Sequence, residues 1–424
     1  IGYVSNVYFG KYSGNEDNTI IASPHKDTIA VGGGVSSQSA IVGFAKRAFD
    51  NLPDSGGYLA EIAGASGAIV GNSIDVQAAT LINAVGGGGV ATIQTNQSGD
   101  NTPFGNGFNT PFKYTSITDN HITVTGTSVD FTVAGGGALS VRSDLPGFEI
   151  QEEEYSDEFV VGTVVARNSI SISDADGDAG GLVAGGGLAR ASGRPYSALY
   201  IDRSSIVEND ISIAGSSTPN LAVGGGGASF LGSNVEIYNA TVANNGITHT
   251  HEEGEAYAAG LAFIDTDSDI IHTTIAGNTV AAATPANWGV QLNFEAASGA
   301  LINTLISGVD LGEGADCYID DSEDSVTIDG VAISNPGNCA PDLDSSVADP
   351  QYLDTLEFNG FAFEFNGFAF NEGPTKYLEM PTIALLAGSG AIDAAAGSTL
   401  SIFVDQRDYP RDDDPDLGAY EFAA

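Results

Sequence analysis

Thr274-Ile275-Ala276-Gly277-Asn278-Thr279-Val280 decides the fold, because it returns along the chain with its apolar and Asn positions kept. Upstream it reads Thr241-Val242-Ala243-Asn244-Asn245-Gly246-Ile247, Ser205-Ile206-Val207-Glu208-Asn209-Asp210-Ile211 and Val164-Val165-Ala166-Arg167-Asn168-Ser169-Ile170. Ser116 to Ile122 and Ala68 to Ile74 are earlier copies, Asn18-Thr19-Ile20 is a degraded first one, and Thr304 to Val309 is a last one with Gly308 in place of Asn. A Gly run follows the Asn at a nearly constant distance, its first Gly lying 14, 14, 15, 17 and 15 residues after Asn18, Asn72, Asn120, Asn168 and Asn209. After Asn245 it has decayed to Ala258-Ala259-Gly260.

Such a period marks a solenoid, whose units bury their apolar faces only against one another. The units read as β: they alternate, as in Ile170-Ser171-Ile172, and are rich in Ile, Val and Thr. The pattern predicts an all-β parallel β-helix of about eight coils over residues 18–340, preceded by an N-terminal strand or cap over 1–17. Asn suits the left-handed backbone of a sharp corner, and stacked Asn side chains hydrogen-bond from coil to coil. Gly runs suit turns and close approach of backbones. The Asn-to-Asn spacing shrinks through 54, 48, 48, 41, 36, 33 and, to Gly308, 30 residues, which places insertions on one side, largest near the N-terminus. Their aromatics, among them Phe44, Phe104, Phe148 and Tyr196, suggest either a shelf for sugar rings or loops pinned to their own scaffold.

The 55 Asp and Glu against 13 Lys and Arg give a net charge of -42. Such a surface repels nucleic acid and anionic membranes, attracts divalent cations and suits saline surroundings that screen the repulsion. No apolar run is long enough to span a membrane. The first residue is Ile1 and no leader is present, which reads as a processed mature chain. Cys317 and Cys339 are the two cysteines, and a disulfide between them suits an oxidising extracellular setting.

Carboxylates at alternate turn positions, Asp174, Asp176 and Asp178 and then Asp265, Asp267 and Asp269, are candidate Ca²⁺ ligands; solvated turn carboxylates are the alternative. Because β-helices host enzymes that cut acidic polysaccharides, Arg203, Asp202, Arg190 and Arg194 form the one candidate catalytic constellation, with structural roles as the alternative. No pair of carboxylates is singled out as a glycosidase acid and base.

From Asp349 the repeat gives way to Asp349-Pro350, Glu372-Gly373-Pro374-Thr375, Leu385 to Asp393, Asp405-Gln406-Arg407, Pro410-Arg411 and Asp416-Leu417-Gly418-Ala419-Tyr420-Glu421. This ending resembles that of bacterial choice-of-anchor Q domain proteins, which are similar to the pectin-lyase-like right-handed β-helix superfamily. The resemblance implies a right-handed helix, a non-repeat C-terminal cap region over 341–424, secretion and attachment to a bacterial surface or matrix, and it supplies no catalytic residues. Such proteins commonly carry an anchoring tail after this domain, and this sequence ends at Ala424.

A tandem, Glu357 to Phe363 repeated as Glu364 to Phe370, adds an apolar segment near this region. The expected function is therefore a secreted acidic structural protein that self-associates head to tail. Tyr3, Val7, Tyr8 and Phe9 would meet Phe358, Phe361, Phe363, Phe365, Phe368 and Phe370 of a neighbour. A Ca²⁺-dependent polysaccharide lyase or hydrolase and a glycan-binding adhesin are the alternatives.

Overall fold

The computed structural model describes short strands between Asn15 and Gln38, the strands and tight corners between Ala68 and Cys339, and residues 381–395, 402–407 and 409–422. Among the described residues there is no helix. The strands form five parallel sheets of nine, seven, seven, eight and seven strands, in a solenoid-like arrangement. One circuit runs through Ser205–Val207 (sheet 1), Asp210–Ala214 (sheet 2), Ala222–Gly224 (sheet 3), Ala228–Leu231 (sheet 4) and Asn234–Tyr238 (sheet 5), and Thr241–Ala243 opens the next. The first strand of sheet 1 is Asn15–Glu16, so the first circuit starts before Asn18.

Repetition in the sequence becomes register in the sheets. Ile206 pairs with Val165 on one side and Val242 on the other, and Ile211 with Ile170 and Ile247. In the sheet 1 strands from Ser116 to Ser307 the central residue points inward, so Ile117, Val165, Ile206, Val242, Ile275 and Ile306 share one buried cluster. Each sheds nearly all contact with water, and a Val or Ile so placed contributes about 1.5–3 kcal/mol.

The corner between sheets 1 and 2 corrects one expectation. The left-handed backbone belongs to the residue before each Asn: Gly71, Asp119, Arg167, Glu208, Asn244 and Gly277 all have φ between 53° and 71°. The Asn itself is needed for its side chain. Asn168 donates both its backbone N–H and its Nδ2 to Asn209 Oδ1, at 3.1 and 3.0 Å, and Nδ2 also donates to Ile117 O at 2.9 Å. Asn120, Asn209 and Asn245 repeat the paired donation to the next Asn, so the row runs unbroken through five circuits to Asn278.

Gly runs and Asn positions keep a constant offset because they touch. A Cβ on Gly187 would lie 2.7 Å from Asn209 Nδ2, and one on Gly227 2.8 Å from Asn245 Nδ2. The Gly corner between sheets 3 and 4 closes onto the amide row only without side chains.

Sheet 4 carries a second row. Phe230, Phe263 and Phe294 stack with ring centroids 5.1 Å apart and are fully buried. Arg190 holds the same register position one circuit earlier and is equally buried.

Among the described residues the sheets stop at different levels at the C-terminal end. Sheets 2 and 3 end with Thr279–Ala282 and Thr284–Pro285, whereas sheets 1, 4 and 5 continue to Ala332–Ile333, Ala315–Ile319 and Ser325–Asp329. Gly308 supplies no further amide, and the side chain of Gln291 takes its place. Gln291 Oε1 accepts from Asn278 N and Nδ2 at 3.0 and 2.7 Å, and its Nε2 donates to Asn278 O at 2.9 Å. Beyond it Cys317 and Cys339 form a disulfide, Cα to Cα 5.8 Å, that ties the last sheet 4 strand to the closing turn. In the same turn buried Asp316 accepts from Asn335 N at 2.8 Å, and burial raises its carboxyl above the usual range.

Candidate functional site

The most elaborate polar arrangement among the described residues lies where the C-terminal segment 381–422 meets the outer face of sheet 1. That face is the consequence of the rung pattern, since the residues flanking each inward Ile or Val point outward. It presents Ser205, Thr241 and Thr274 in one row and Val207, Ala243 and Ala276 in the next.

Ile383, Leu385, Ala391 and Leu417 bury themselves against the apolar row, together with Val164, Leu305 and Ala332. Hydroxyls of the other row read the backbone and amides of the segment. Ser205 Oγ donates to Pro381 O at 2.5 Å, Gln406 Nε2 donates to Ser205 Oγ at 2.8 Å, and Thr274 Oγ1 accepts from Ala419 N at 3.0 Å. The described part of this region therefore lies along the flank of the coils.

The segment is braced by buried ion pairs built from the residues of its own motifs. Arg407 meets Asp405 at 2.6 Å and stacks 3.5 Å above the ring of Tyr420; Asp405 also accepts the backbone N–H groups of Arg407, Tyr409 and Glu421. Arg411 meets Glu421 at 2.9 Å, with both side chains almost wholly buried, and its other nitrogen donates to Asn239 Oδ1 of the sheet 5 to sheet 1 corner at 3.0 Å. Burial lowers the Arg411 pKa, and the carboxylates of Glu421 and Asp405 oppose that shift.

Two titratable groups sit in this interface. Asp416 accepts from Asp393 N at 2.8 Å and from Phe422 N, yet desolvation pushes its pKa up to about 6. His272, at a left-handed corner position and 2% exposed, is pushed down to about 3 by desolvation first and by the Arg411 charge second. Its Nε2 lies 3.1 Å from Asn303 Nδ2.

Of the residues singled out from sequence, Asp265, Asp267 and Asp269 fall at the sheet 4 to sheet 5 corner and on the following strand. Asp265 and Asp267 are exposed, and Ser298 Oγ donates to Asp267 at 3.0 Å. Asp269 is half-buried, its pKa raised by desolvation and by Glu236 and Asp267. Among the described residues no three His, Cys, Asp or Glu side chains come together as a metal group. Asp174, Asp176 and Asp178 lie outside the described residues.

Arg190, Asp202 and Arg203 of the Arg constellation lie among the described residues. Arg190 is buried in register with the Phe stack, while Arg203 occupies an outer corner and pairs with its neighbour Asp202 at 2.9 Å. Arg194 lies outside the described residues, as do Tyr3, Val7, Tyr8, Phe9, Phe358, Phe361, Phe363, Phe365, Phe368 and Phe370. Sequence reading missed Gln291, Thr241, His272 and Asn239. The signal available for Thr241 was the Ser or Thr that opens most rungs. Comparison with protein-family models, curated proteins and solved structures gives no match to this chain.

Proposed function

We propose that this chain is a secreted, acidic structural protein of a bacterial surface or matrix, a right-handed parallel β-helix of about eight coils that joins end to end. The choice-of-anchor Q relationship is part of the proposal, supported by the segment from Asp405 to Glu421. The observation that carries the reading is the continuity of the side-chain rows: buried amides and rings bond to their own equivalents in the next coil, as from Asn168 to Asn209 and from Phe230 to Phe263. Such a body is a stiff scaffold that grows by adding coils.

At the C-terminal end the uncharged strand Thr279–Ala282 is the outermost of sheet 2 among the described residues, and end-to-end joining would pair another chain with a strand edge of this kind. Gln291 closes the amide row there, so growth at that edge runs through backbone pairing. Ca²⁺ enters the proposal as a bridge between acidic turns of adjacent copies, a role that draws carboxylates such as Asp265 and Asp267 from two molecules.

The test is electron microscopy of the purified protein in Ca²⁺ and after chelation at matched ionic strength. Filaments that fall apart on chelation are the expected result. Isolated short particles in both conditions would overturn end-to-end assembly.

A further inference from the structure

The segment 381–424 carries eight carboxylates against two arginines, Arg407 and Arg411, and it lies on a body that holds most of the net charge of -42. Its described ion pairs, Arg407 to Asp405 and Arg411 to Glu421, are internal. What fastens it to the coils is of another kind: apolar contact through Leu385 and Leu417, and hydrogen bonds such as Gln406 to Ser205. It also holds a shape of its own, with Gln406 N donating to Ala419 O at 2.9 Å and Leu417 N to Ala391 O at 3.0 Å. A self-braced acidic piece thus docks on an acidic body by short-range contacts, against a long-range repulsion.

We propose that the described parts of segment 381–422 form a salt-gated strap, closed on the flank of sheet 1 at high ionic strength and open at low ionic strength. The two opposing forces differ in reach. Repulsion between exposed carboxylates acts over about 10 Å at 0.1 M salt and about 3 Å at 1 M, so added salt removes it. Burial of apolar surface and hydrogen bonds at contact are untouched by screening, and the internal ion pairs are too buried for salt to loosen them. Opening uncovers the hydroxyl row of Ser205, Thr241 and Thr274 and the apolar row beside it.

The experiment is hydrogen exchange with mass spectrometry on the full chain at constant pH, across a series of NaCl concentrations from about 0.05 to about 1 M, the range over which the screening length shrinks about 4.5-fold. Between the ends of the series, the amides of Gly418 and Ala419, which donate to Asn303 O and Thr274 Oγ1 of the coils, should lose protection on the order of tenfold at low salt, one decade of equilibrium constant, while Ile206 and Val242 keep theirs. Asp413 and Asp414 are exposed, and the double variant Asp413→Asn with Asp414→Asn should stay closed at lower salt than the parent chain.

Three results would overturn the proposal. One is protection of the segment that does not change with salt, and another is loss that strikes Ile206 and Val242 at the same time. The third is a double variant whose salt dependence matches that of the parent chain. Sucrose in place of salt separates screening from surface exclusion, and protection restored equally by sucrose would also count against the strap.

Discussion

The amide row from Asn120 to Asn278 and the docked segment 381–422 both consist of buried polar groups, yet they are held in opposite ways. In the row each side chain bonds to its own counterpart one circuit away, so a single geometry is used repeatedly. In the segment each bond is made once, between residues far apart in sequence, as from Arg411 to Asn239 or Gln406 to Ser205. Repetition spreads a load over neighbours, whereas a singular contact concentrates it.

Breaking the row should produce the largest effect. Asn209→Ala removes the acceptor of Asn168 N and Nδ2 and the donor to Asn245 Oδ1 and Val165 O, all of them buried. We expect a loss of about 4 kcal/mol, read by chemical denaturation of the coils. Next comes Arg411→Ala, which leaves Glu421 buried without its partner. It should release the segment at a cost of about 3 kcal/mol. The coils should keep their unfolding midpoint, which circular dichroism against denaturant will show.

A pH titration sharpens the comparison further. Asp416 has a folded pKa of about 6, raised from 3.8, so its contribution to docking is full below the lower value and is lost as pH rises through about 6. His272 has a folded value of about 3, lowered from 6.5, so its contribution is present above 6.5 and is lost as pH falls toward about 3. The two slopes oppose each other between pH 7 and 5, and docking in the parent chain should change little there. Replacing the histidine, His272→Gln, should leave docking that strengthens on acidification, as measured by exchange at Gly418, whose N–H donates to Asn303 O of the coils. The smallest effect belongs to Arg167→Ala. Its pairs with Asp119 and Glu208 are half-exposed, so stability should move by less than about 1 kcal/mol.

The same contrast explains what the sequence made legible. The circuits, their register and the constant offset of Gly from Asn could be read because each recurs, and the structure adds that the two touch, as at Asn168 with Gly137 and Asn209 with Gly187. Asn also tolerates the left-handed region, and that tolerance pointed to the wrong residue of the corner. The position before it accepts Asp119, Arg167 or Glu208 alike, because an exposed corner fixes the backbone angle and leaves the side chain free. Gly308 showed where the amide row stops, but its closure by Gln291, thirteen residues after Asn278, required knowledge of how sheet 4 faces that corner.

Arg190 stood out in the sequence as a member of the candidate catalytic constellation, and only its register with Phe230 places it inside. The motifs from Asp405 to Glu421 were visible as a pattern. Their partners Asn239 and His272 were hidden because they fall outside the repeated rung, while Thr241 showed only as the Ser or Thr that opens most rungs.

Native-state hydrogen exchange of the full chain under rising denaturant tests the central claim most directly, namely that a repeated body carries a separately held segment. Amides of Ile206, Val242 and Ile275 should open together at the highest free energy, and those of Gly418 and Ala419, bonded across to the coils, as a second group at a distinctly lower one. A single opening free energy shared by both groups would contradict it.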